Sequence, residues 1–581
     1  MSLPLEETAF SSDRVLRQLI SALLFEGIVQ AIEELIDGVP HLRWSLGGND
    51  FCGLCKIGVF GRVRVAPQSI KVRRSNGTWE LASLGDIVPF LPGNGINRGK
   101  LLHELQQTVA FSNWNQQNLP AKNRRRMAFR ELDGALDEGH PYHPCYRARL
   151  GFSTIDHILY SPESGRPFQL VWLLIARKHL SQNLPMADEP FWRNELGDNA
   201  WVALEQRRIA FKLSLDDFGY VPMHPWQWKT LRDHELVPWI TAGELHYLGL
   251  FGDSYIATQS VRSLFSIDRT GASSIKLPLN IINTSSRRTL EPHSVCTAPA
   301  LSHWISGVVA GDALFTDTYP LTILKEYAGI IADPEGPLAG QIGALWRENA
   351  EATLLPEEAL IPLNATMMIE ADGKPFVSEW IERFGLEDWT SRLLEIVILP
   401  IWHLLVFHGI AVEAHGQNVL LVHKNGWPVR IILRDLHESV EFSYAFLRRP
   451  QDAPDFQSLN PIYRNAQPDQ YYWVESVEPL RELVMDTLFV FNLTEVSHLL
   501  HTSYDFSECD FWARARGLLT NYADTHEMHA RQALLDTESD TIATESLLTR
   551  KLLADKPEYH HRIPNDLSLT PQTIRDTHDP H

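Results

Sequence analysis

One stretch of the chain, Glu413–Asp435, constrains the fold most, because it specifies a β-hairpin: EAHGQNVLLVHKNGWPVRIILRD. Two apolar runs, Val419–Val422 and Val429–Leu433, flank the pair Asn425-Gly426. Asn-Gly between two β-type runs is the strongest short-range signal for a hairpin. If the two strands pair antiparallel around this turn, the ends of the stretch come together.

The open end of this predicted hairpin collects polar side chains of complementary chemistry. They are Glu413, His415, Gln417 and Asn418 before the first strand, and Arg434-Asp435 after the second. Two carboxylates and an amide oxygen are hard ligands, which suit Mg²⁺ carrying a nucleotide. The alternative is a polar hairpin end whose charges are only solvated, and a lone hairpin of this kind is more often that. The presence of several functional residue types at both ends of one hairpin favours a site.

Composition limits the classes of function that the chain can have. Its 581 residues indicate two to four domains, and 52 basic against 72 acidic residues give a net charge of −20. Bulk nucleic-acid binding needs a basic face, so it is not expected. An anionic substrate would need a local basic pocket inside this acidic protein.

Cysteine usage and hydropathy indicate a protein of the reducing cytoplasm. Five cysteines in a long chain do not form a disulfide framework, and Cys52–Cys55 is a lone CxxC that we interpret as structural. The N-terminus lacks a basic region followed by an apolar one, so no secretory signal is predicted. The most apolar segment, Ile396–Val412, is about 17 residues and is predicted to be a buried helix, because about 20 are needed to span a membrane.

The stretch Ala257–Arg288 supplies the basic pocket. Its candidate anion ligands lie along two β-type runs: Ser260, Arg262, Ser263, Lys276 and Arg288. A hairpin here would bring Lys276 and Ser260/Arg262 onto neighbouring strands. Arginine offers a bidentate fork for a carboxylate or phosphate, and lysine offers a point charge. Solvated charge on a surface hairpin is the alternative, which the accompanying hydroxyls and apolar runs weaken.

Other segments carry weaker expectations. Asp13–Asp37 is predicted to be one helix, and Phe168–Ala176 a buried strand. The basic cluster Lys122–Arg126 is interpreted as a solvated helix face. The motif His224–Trp228 is interpreted first as packing. The turn Gly139–Pro144 holds two histidines rigidly between prolines, but no third ligand lies nearby in sequence, so no metal site is predicted there.

Taken together, these segments resemble the IucA/IucC family, the NRPS-independent siderophore synthetases. Six motifs carry the resemblance in order: GHPYHP at Gly139–Pro144, HPWQW at His224–Trp228, SVRS with the downstream Lys276, NTSSRR at Asn283–Arg288, EAHGQN at Glu413–Asn418, and Arg434-Asp435. The resemblance runs from about Glu138 to the C-terminus. The region after about residue 395 also looks like the FhuF-like segment that ends these synthetases.

The resemblance implies an enzyme of siderophore biosynthesis. Such a ligase adenylates a polycarboxylic acid (citrate, a citryl derivative or 2-oxoglutarate) with ATP and Mg²⁺. An amine or alcohol then displaces AMP to give an amide or an ester. It also implies an α+β fold of cupped-hand shape, with thumb, fingers and palm, antiparallel sheets packed by helices, and a kinase-like hairpin in the palm. The regions expected are 1–137, 138–370 and 371–581, in a cytoplasmic protein that forms a homodimer and binds neither nucleic acid nor membranes.

The resemblance also assigns roles to individual residues. For ATP these are His140, Ser260, Arg262, Ser263, Lys276 and Gln417. For the carboxylic acid they are Thr284, Arg288, His415 and Lys551, and for Mg²⁺ they are Glu413, Asn418 and Asp435. Ser263 stands where many members have threonine. Arg434-Asp435 looks more like the members that use citrate or 2-oxoglutarate than those that use a citryl monoamide.

Two other classes of function remain open from the sequence. A kinase-like phosphotransferase also places Asn and Asp at the ends of such a hairpin, although neither a G-x-G-x-x-G loop nor an H-R-D motif is present. A non-enzymatic protein that binds or reduces an iron-siderophore is the other, although only Cys509 lies in the FhuF-like half. The sequence does not identify the acid, the nucleophile or the siderophore.

Overall fold

The computed structural model describes residues 5–36, 38–284, 286–556 and 558–568, with side chains from residue 11 onward. Ser285 of the motif Asn283–Arg288 lies outside these ranges. The N-terminal part contains helices α1 (Leu5–Phe25), α2 (Leu84–Ile87), α3 (Gly95–Asn118) and α4 (Phe129–Ala135), and strands β1 (Ala31–Ile36), β2 (Val39–Leu46), β3 (Asn49–Ile57), β4 (Val63–Val65), β5 (Lys71–Arg73) and β6 (Trp79–Leu81). These strands form an antiparallel sheet in the order β1-β2-β3-β5-β6, with β4 paired to β3.

The middle part is built on a large antiparallel sheet. Its strands are β7 (Phe168–Ala176), β8 (Leu180–Asn183), β9 (Phe218–Met223), β10 (Leu245–Ala257), β11 (Ser263–Ser266), β12 (Ser274–Lys276), β13 (Ile282–Asn283), β14 (Ser286–Arg287), β15 (Leu321–Ile323), β16 (Glu326–Ala332), β17 (Gly343–Arg347) and β18 (Glu358–Pro362). Its helices are α5 (Thr154–Tyr160), α6 (Asp188–Leu196), α7 (Asp198–Ala210), α8 (Pro225–Leu231), α9 (Val237–Thr241), α10 (Pro292–Ala310) and α11 (Leu314–Asp317). Eight of these twelve strands form the large sheet, in the order β8-β16-β17-β12-β11-β10-β7-β9.

The C-terminal part is mainly helical around a four-stranded sheet. Its helices are α12 (Ser378–Phe384), α13 (Leu386–His403), α14 (Phe456–Leu459), α15 (Glu478–Val484), α16 (Thr494–Tyr504), α17 (Glu508–His526), α18 (His529–Leu534) and α19 (Leu547–Leu553). Its strands are β19 (Ile410–Val412), β20 (Val419–Lys424), β21 (Trp427–Leu433), β22 (Val440–Phe442), β23 (Thr541–Glu545) and β24 (His560–Pro564). Two helical segments have π geometry, Leu404–His408 and Met485–Leu493.

The hairpin predicted from Asn425-Gly426 forms. Strands β20 and β21 pair antiparallel from Val419 opposite Leu433 to Lys424 opposite Trp427, within a sheet of order β15-β21-β20-β18. Successive side chains of a strand point to opposite faces. Leu420, Val422 and Ile432 therefore pack with Phe129 and Phe265, whereas the alternate residues enter the main core of the C-terminal part. The hairpin is buried on both faces, which fixes its register.

The structure corrects several local predictions, among them the buried helix over Ile396–Val412, which ends at His408, because Ile410–Val412 forms strand β19. The first helix ends at Phe25, because Gly27 takes a positive φ of 66° and residues 31–36 pair as β1 with β2 instead. The cluster Lys122–Arg126 is not a solvated helix face, because Arg124 is buried. Its guanidinium binds Glu138 Oε2 at 2.7 Å and Glu370 Oε1 at 2.9 Å, and so joins distant segments. The predicted strand Phe168–Ala176 and the packing role of His224–Trp228 are confirmed.

Two helical stretches have the length and hydropathy to cross a membrane, Leu386–His408 and Glu478–Tyr504. Within their most apolar windows, 78% and 72% of the residues are buried inside the protein. Buried core helices of a soluble protein have the same composition, so these stretches are weak evidence for membrane insertion.

The hairpin turn provides a test of this packing. Gly426 has a φ of 96°, and an added Cβ would lie 2.2 Å from Trp380 Cδ1. We expect Gly426→Ala to lower the free energy of unfolding by about 2–4 kcal/mol, from backbone strain and overpacking together. Gly77, with a φ of 84° in a second Asn-Gly turn and nothing within 4 Å of its added Cβ, is the matched control. Gly77→Ala should cost only the strain, about 1–2 kcal/mol. Equal losses in denaturant titrations would contradict this packing.

Candidate active site

The open end of the hairpin docks onto the eight-stranded sheet through the carboxylate of Asp435. Its Oδ1 lies 3.1 Å from Lys276 Nζ on β12 and 2.7 Å from Arg347 Nη1 on β17. Burial raises the pKa of Asp435, but the charges of Arg347, Lys276 and Arg434 outweigh it and hold the pKa well below its usual value. The carboxylate is therefore ionised and bound to two cations.

Residues after Asp435 extend this contact with the same sheet. Glu326, at the start of β16, is fully buried and accepts from Leu436 N at 3.2 Å and from His437 Nδ1 at 2.9 Å. His437 Nε2 in turn lies 3.3 Å from Lys276 Nζ. Burial raises the pKa of Glu438, but His437, Arg262 and Lys276 hold it at about 2. Carboxylates and the imidazole of His437 thus surround the ammonium group of Lys276.

The other side of the open end holds the carboxylate of Glu413 beside the imidazole of His415, and we call this region the acidic corner. Glu413 Oε2 accepts from Ser439 Oγ at 2.7 Å and lies 3.4 Å from Asn418 Nδ2. His415 Nδ1 accepts from the backbone N–H groups of Gln417 and Asn418, so the neutral ring carries its proton on Nε2. That Nε2 lies 3.8 Å from Glu413 Oε1. The predicted closeness of the two hairpin ends is observed, because Arg434 N donates to Asn418 O at 3.0 Å.

The predicted phosphate ligands lie at a tight turn rather than along one strand. Ser260 and Arg262 precede β11, and it is Ser263 that lies opposite Lys276. The reason is the turn at Thr258–Val261, in which Val261 has a φ of 67°. Arg262 nevertheless stays beside the second strand, because Leu277 N donates to its carbonyl at 3.0 Å. Ser260 Oγ accepts from Ser263 N at 3.0 Å and shapes the turn.

The predicted carboxylate ligands form a second basic group. Arg288 Nη2 donates to Asn283 O at 2.9 Å and to Thr284 Oγ1. Burial and the charge of Arg262 lower the pKa of Arg288 to about 9, while Glu413 and Glu438 oppose this shift. Lys551 is not solvated, as a basic tail would be. Its Nζ donates to Thr284 O at 3.0 Å and lies 2.5 Å from Glu104 Oε2.

His140 lies in the same electrostatic neighbourhood. Its Nδ1 accepts from Tyr142 N and His143 N, which fixes the ring. Burial, and then the charges of His415, Arg62 and Arg288, lower its pKa to about 3. His140 is therefore a neutral imidazole that can only donate or accept a hydrogen bond near neutral pH. His140 thus feels residues of both groups of predicted ligands, His415 and Arg288.

Several buried polar atoms of this site have no hydrogen-bond partner among the described residues: Ser263 Oγ, Arg262 Nε, Arg288 Nε and Arg347 Nε. Buried donors without partners are costly and rare, unless a ligand satisfies them. All four can donate to oxygen, as the phosphates of a nucleotide or a carboxylate would require. The residues present therefore fit an anionic ligand. The oxygens of Glu413, Asn418 and Asp435 fit a hard divalent cation.

Sequence reasoning missed four charged or titratable residues of this site: Glu326, Arg347, His437 and Glu438. Glu326 stands at the start of one apolar strand and Arg347 at the end of another. A buried charge at such a position requires a partner. This requirement is the sequence signal for the two residues, although it does not identify the partner. Glu104, which binds Lys551 from helix α3, carries no signal in its local sequence.

Comparison with known proteins identifies the class. The IucA / IucC family model matches residues 128–368, and one described as ferric iron reductase FhuF-like transporter matches residues 387–559. The chain is 33% identical over 573 residues to a citryl-spermidine/3,4-dihydroxybenzoyl-citryl-spermidine:spermidine ligase of Bacillus anthracis, covering 95% of this chain and 93% of that protein. It is 28% identical to a 2-[(L-alanin-3-ylcarbamoyl)methyl]-3-(2-aminoethylcarbamoyl)-2-hydroxypropanoate synthase of Staphylococcus aureus, covering 96% and 92%. The crystal structure of the petrobactin biosynthesis protein AsbB from Bacillus anthracis superimposes with a TM-score of 0.90 at 30% identity, covering 97% of this chain and 96% of that one.

The fold and these matches define an ATP-dependent ligase of siderophore biosynthesis. The chain belongs to the IucA/IucC family of NRPS-independent siderophore synthetases. The resemblance seen in the six motifs is thereby confirmed, as is the FhuF-like region.

The buried ion pairs that Asp435 forms with Lys276 and Arg347 lead to a prediction about stability. Removing one partner of a buried ion pair leaves charge without compensation, which typically costs about 3–5 kcal/mol. Because Lys276 still binds Asp435, we expect Arg347→Met to lower the free energy of unfolding by about 2–3 kcal/mol.

The control for this experiment is an exposed pair. Arg392 lies 2.8 Å from Glu395 Oε2, and both side chains are more than a quarter exposed. Arg392→Met should cost less than about 1 kcal/mol. A loss as small for Arg347→Met would show that Arg347 does not stabilise the docked hairpin.

Proposed function

We propose that this ligase activates a polycarboxylic acid as an acyl-adenylate and then joins it to an amine. A carboxylate oxygen of the acid attacks the α-phosphorus of ATP, and pyrophosphate leaves. The amine nitrogen then attacks the acyl carbon, loses a proton and expels AMP, which gives an amide. The observation that carries this proposal is the convergence of Arg262, Lys276, Arg288 and Arg347 with unpaired buried donors, inside a protein of net charge −20.

The turn before β11 would hold the phosphates. Ser263 Oγ and Arg262 Nε are donors without partners among the residues that the structure describes, and Lys276 supplies charge across the β11–β12 pair. Burial lowers the pKa of Lys276, while Asp435 opposes the shift, so an incoming phosphate would stabilise its protonated form. His140, Ser260 and Gln417 complete the proposed nucleotide site. Fixed donors of this kind stabilise developing charge without reorganisation.

The carboxylic acid would bind at Arg288, Thr284 and His415. The charge of Arg288 is disfavoured by burial and by Arg262, and an incoming carboxylate relieves both effects. His415 Nε2–H can donate to the same acid. Lys551 binds the carbonyl of Thr284, so it would act by positioning the segment that holds the acid. The names of the relatives, which include citryl compounds, support citrate or a citryl derivative over 2-oxoglutarate.

Glu413, Asn418 and Asp435 would hold Mg²⁺. Asn418 Nδ2 donates to Glu413 O at 3.1 Å, which leaves its carbonyl oxygen for a cation. Lys276 and Arg347 both bind Asp435 Oδ1, so Oδ2 would be the metal-facing atom. When bound, Mg²⁺ neutralises charge on phosphate oxygens.

An excess of carboxylates beside Glu413 supports an amine as the nucleophile. Glu441 lies on β22 opposite Ala411, and the pairing continues to Glu413, whose N donates to Ser439 O. Residues opposite each other, and residues two apart on one strand, share a face of the sheet, so Glu441 and Glu413 lie on the same face. Glu441 Oε2 is buried without a hydrogen-bond partner in the described ranges. Burial, and then Glu558, Glu482 and other carboxylates, raise its pKa to about 8. A polyamine cation would offset this charge, as the spermidine in the name of one relative suggests.

The shape and assembly expected from the family remain part of the proposal. The regions 1–137, 138–370 and 371–581 would correspond to thumb, fingers and palm, with β20 and β21 as the kinase-like hairpin of the palm. A homodimer in the cytoplasm is likewise proposed. Gel filtration with light scattering measures the oligomeric state directly.

The nucleotide product tests the reaction. With ATP, Mg²⁺, citrate and hydroxylamine, we expect AMP, pyrophosphate and a hydroxamate, because hydroxylamine traps an acyl-adenylate. Arg288→Ala and His415→Ala should each abolish acid-dependent pyrophosphate release while the fold remains intact. The exposed neighbour Arg287 provides the matched control, and Arg287→Ala should retain activity. ADP as the sole product would contradict adenylation and favour a phosphotransferase.

The nucleophile site has a separate test in Glu441→Gln. Because an ammonium group favours the ionised carboxylate, the KM for spermidine should fall as the pH rises towards about 8, where Glu441 loses its proton. The variant should raise this KM about tenfold at that pH and flatten the pH dependence. Hydroxylamine trapping of the activated acid should not change. Glu475→Gln, at an exposed carboxylate, is the control. An unchanged KM in Glu441→Gln would place the amine elsewhere.

A further inference from the structure

A second cluster of ligand-type side chains lies outside the adenylation site. The Nε2 atoms of His403 and His408 both bind Asp312 Oδ2, at 3.0 Å and 2.9 Å. The three ligand atoms all lie within 4.8 Å of one another. The side chains are 0%, 11% and 16% exposed, in the order His403, His408 and Asp312.

The local fold brings the two histidines together. In an α-helix, side chains five residues apart point about 140° away from each other. Here His403 ends α13, and the segment Leu404–His408 has π geometry, which widens the turn and brings positions five apart onto one side. Gly409, with a φ of 81°, ends the helix directly after His408. Single π turns occur frequently at functional sites.

The remaining polar atoms of the cluster are oriented by further hydrogen bonds. Asp312 Oδ1 accepts from Leu314 N at 2.9 Å, so Oδ2 is the atom that faces the two rings. His403 Nδ1 lies 2.8 Å from Tyr522 OH, on α17. A hydroxyl can donate or accept, so Tyr522 can bind either tautomer of His403. A histidine that ligates a metal through Nε2 ordinarily donates its Nδ1–H to such a partner.

We propose that Asp312, His403 and His408 form a binding site for a divalent transition metal ion. Two imidazoles and one carboxylate are the donor set of zinc sites with an open position and of facial iron(II) sites. For tetrahedral bonds of about 2.0–2.1 Å, ligand atoms lie roughly 3.4 Å apart. The two His–Asp distances would therefore lengthen by only a few tenths of an ångström.

The open coordination position would face a cavity of about 580 Å³. His408 and Asp312 line it, together with Phe407, His303 and Arg448. The charges of Arg448 and Arg531 lie near His408, and Arg531 is bound to the carbonyl of Val406. Because Arg448 lines the cavity, an anionic fourth ligand would offset the charge of the metal and of this arginine.

The proton on each ring would have to move for a metal to bind. Both Nε2 atoms donate to the Asp312 carboxylate in the free protein, so a bound metal would require each imidazole to carry its proton on Nδ1 instead. In His403 that atom already faces the hydroxyl of Tyr522, which can accept the proton's hydrogen bond.

Titration of the chelator-treated, full-length protein with Zn²⁺ tests the proposal. Excess Mg²⁺ in the buffer occupies the adenylation site, and a competing chromogenic chelator reports free Zn²⁺. We expect saturable binding of one Zn²⁺ per chain, and a Co²⁺ adduct with visible d–d absorption and imidazole ligation in X-ray absorption spectra. A parallel titration with Fe²⁺ under argon determines which of the two metals binds more tightly, and tighter binding of either supports the site.

Variants separate a metal site from a structural hydrogen-bond cluster. His403→Gln and His408→Gln should lose this binding, whereas Tyr522→Phe, which removes only the orienting hydroxyl, should weaken it about tenfold. His303→Gln lies in the same cavity outside the triad and should bind as the unaltered protein does. Circular dichroism checks that each variant is folded. Acid-dependent AMP formation, measured in parallel, keeps this result distinct from the proposed adenylation.

Two results would overturn the proposal. One is the absence of saturable Zn²⁺ or Fe²⁺ binding by the unaltered protein. The other is unchanged stoichiometry and affinity in His403→Gln and His408→Gln. If these two variants do not fold, full-strength binding by Tyr522→Phe together with a Co²⁺ spectrum that lacks imidazole ligation overturns it equally.

Discussion

The docking of the hairpin onto the eight-stranded sheet centres on one buried carboxylate, that of Asp435. Asp435 follows β21, yet both of its cationic partners, Lys276 and Arg347, belong to β12 and β17 of the other sheet. Desolvation of one carboxylate and two cations is expensive, and only the close geometry offsets it. This interaction brings the acidic corner around Glu413 to face the basic turn around Arg262. Two sheets that share no strand are thereby joined at the proposed site.

In the proposed function, this arrangement would let an acidic protein bind two anionic substrates. Positive charge is concentrated where the backbone holds it: a tight turn positions Arg262, and bonds to Asn283 and Thr284 hold Arg288. Burial lowers the pKa of both Arg288 and Lys276, so desolvation disfavours both charges in the free protein. Under the proposed function, anion binding would offset this effect, and part of the cost of bringing a carboxylate and a triphosphate together would already be met in folding.

The sequence predicts this site unevenly, and the reasons are physical. The hairpin and strand β7 follow from local patterns, because Asn-Gly turns and continuous apolar runs have few alternative structures. Turn geometry is less evident in the sequence: the β-type run predicts a strand through Ser260 and Arg262, whereas the positive φ at Val261 ends the pairing there. The partners that come from distant segments, such as Arg347 for Asp435 and Glu104 for Lys551, are decided by tertiary packing. The predicted first helix is too long, because its apolar spacing continues into residues that pair as β1.

Strand β19 connects the parts of the C-terminal region that carry chemistry. It spans Ile410–Val412, so His408 lies just before it and Glu413 directly after it. Its neighbour β22 carries Glu441, and the pairing of Ala411 with Glu441 fixes their register. All three residues of β19 are buried, so the strand cannot slide without exposing apolar surface or breaking the pairing. The link between the π turn and this strand is Gly409, whose φ of 81° ends the helix. Because a Cβ at Gly409 would lie 2.5 Å from Phe446 O, only glycine fits where the chain passes from His408 into β19 and on to Glu413.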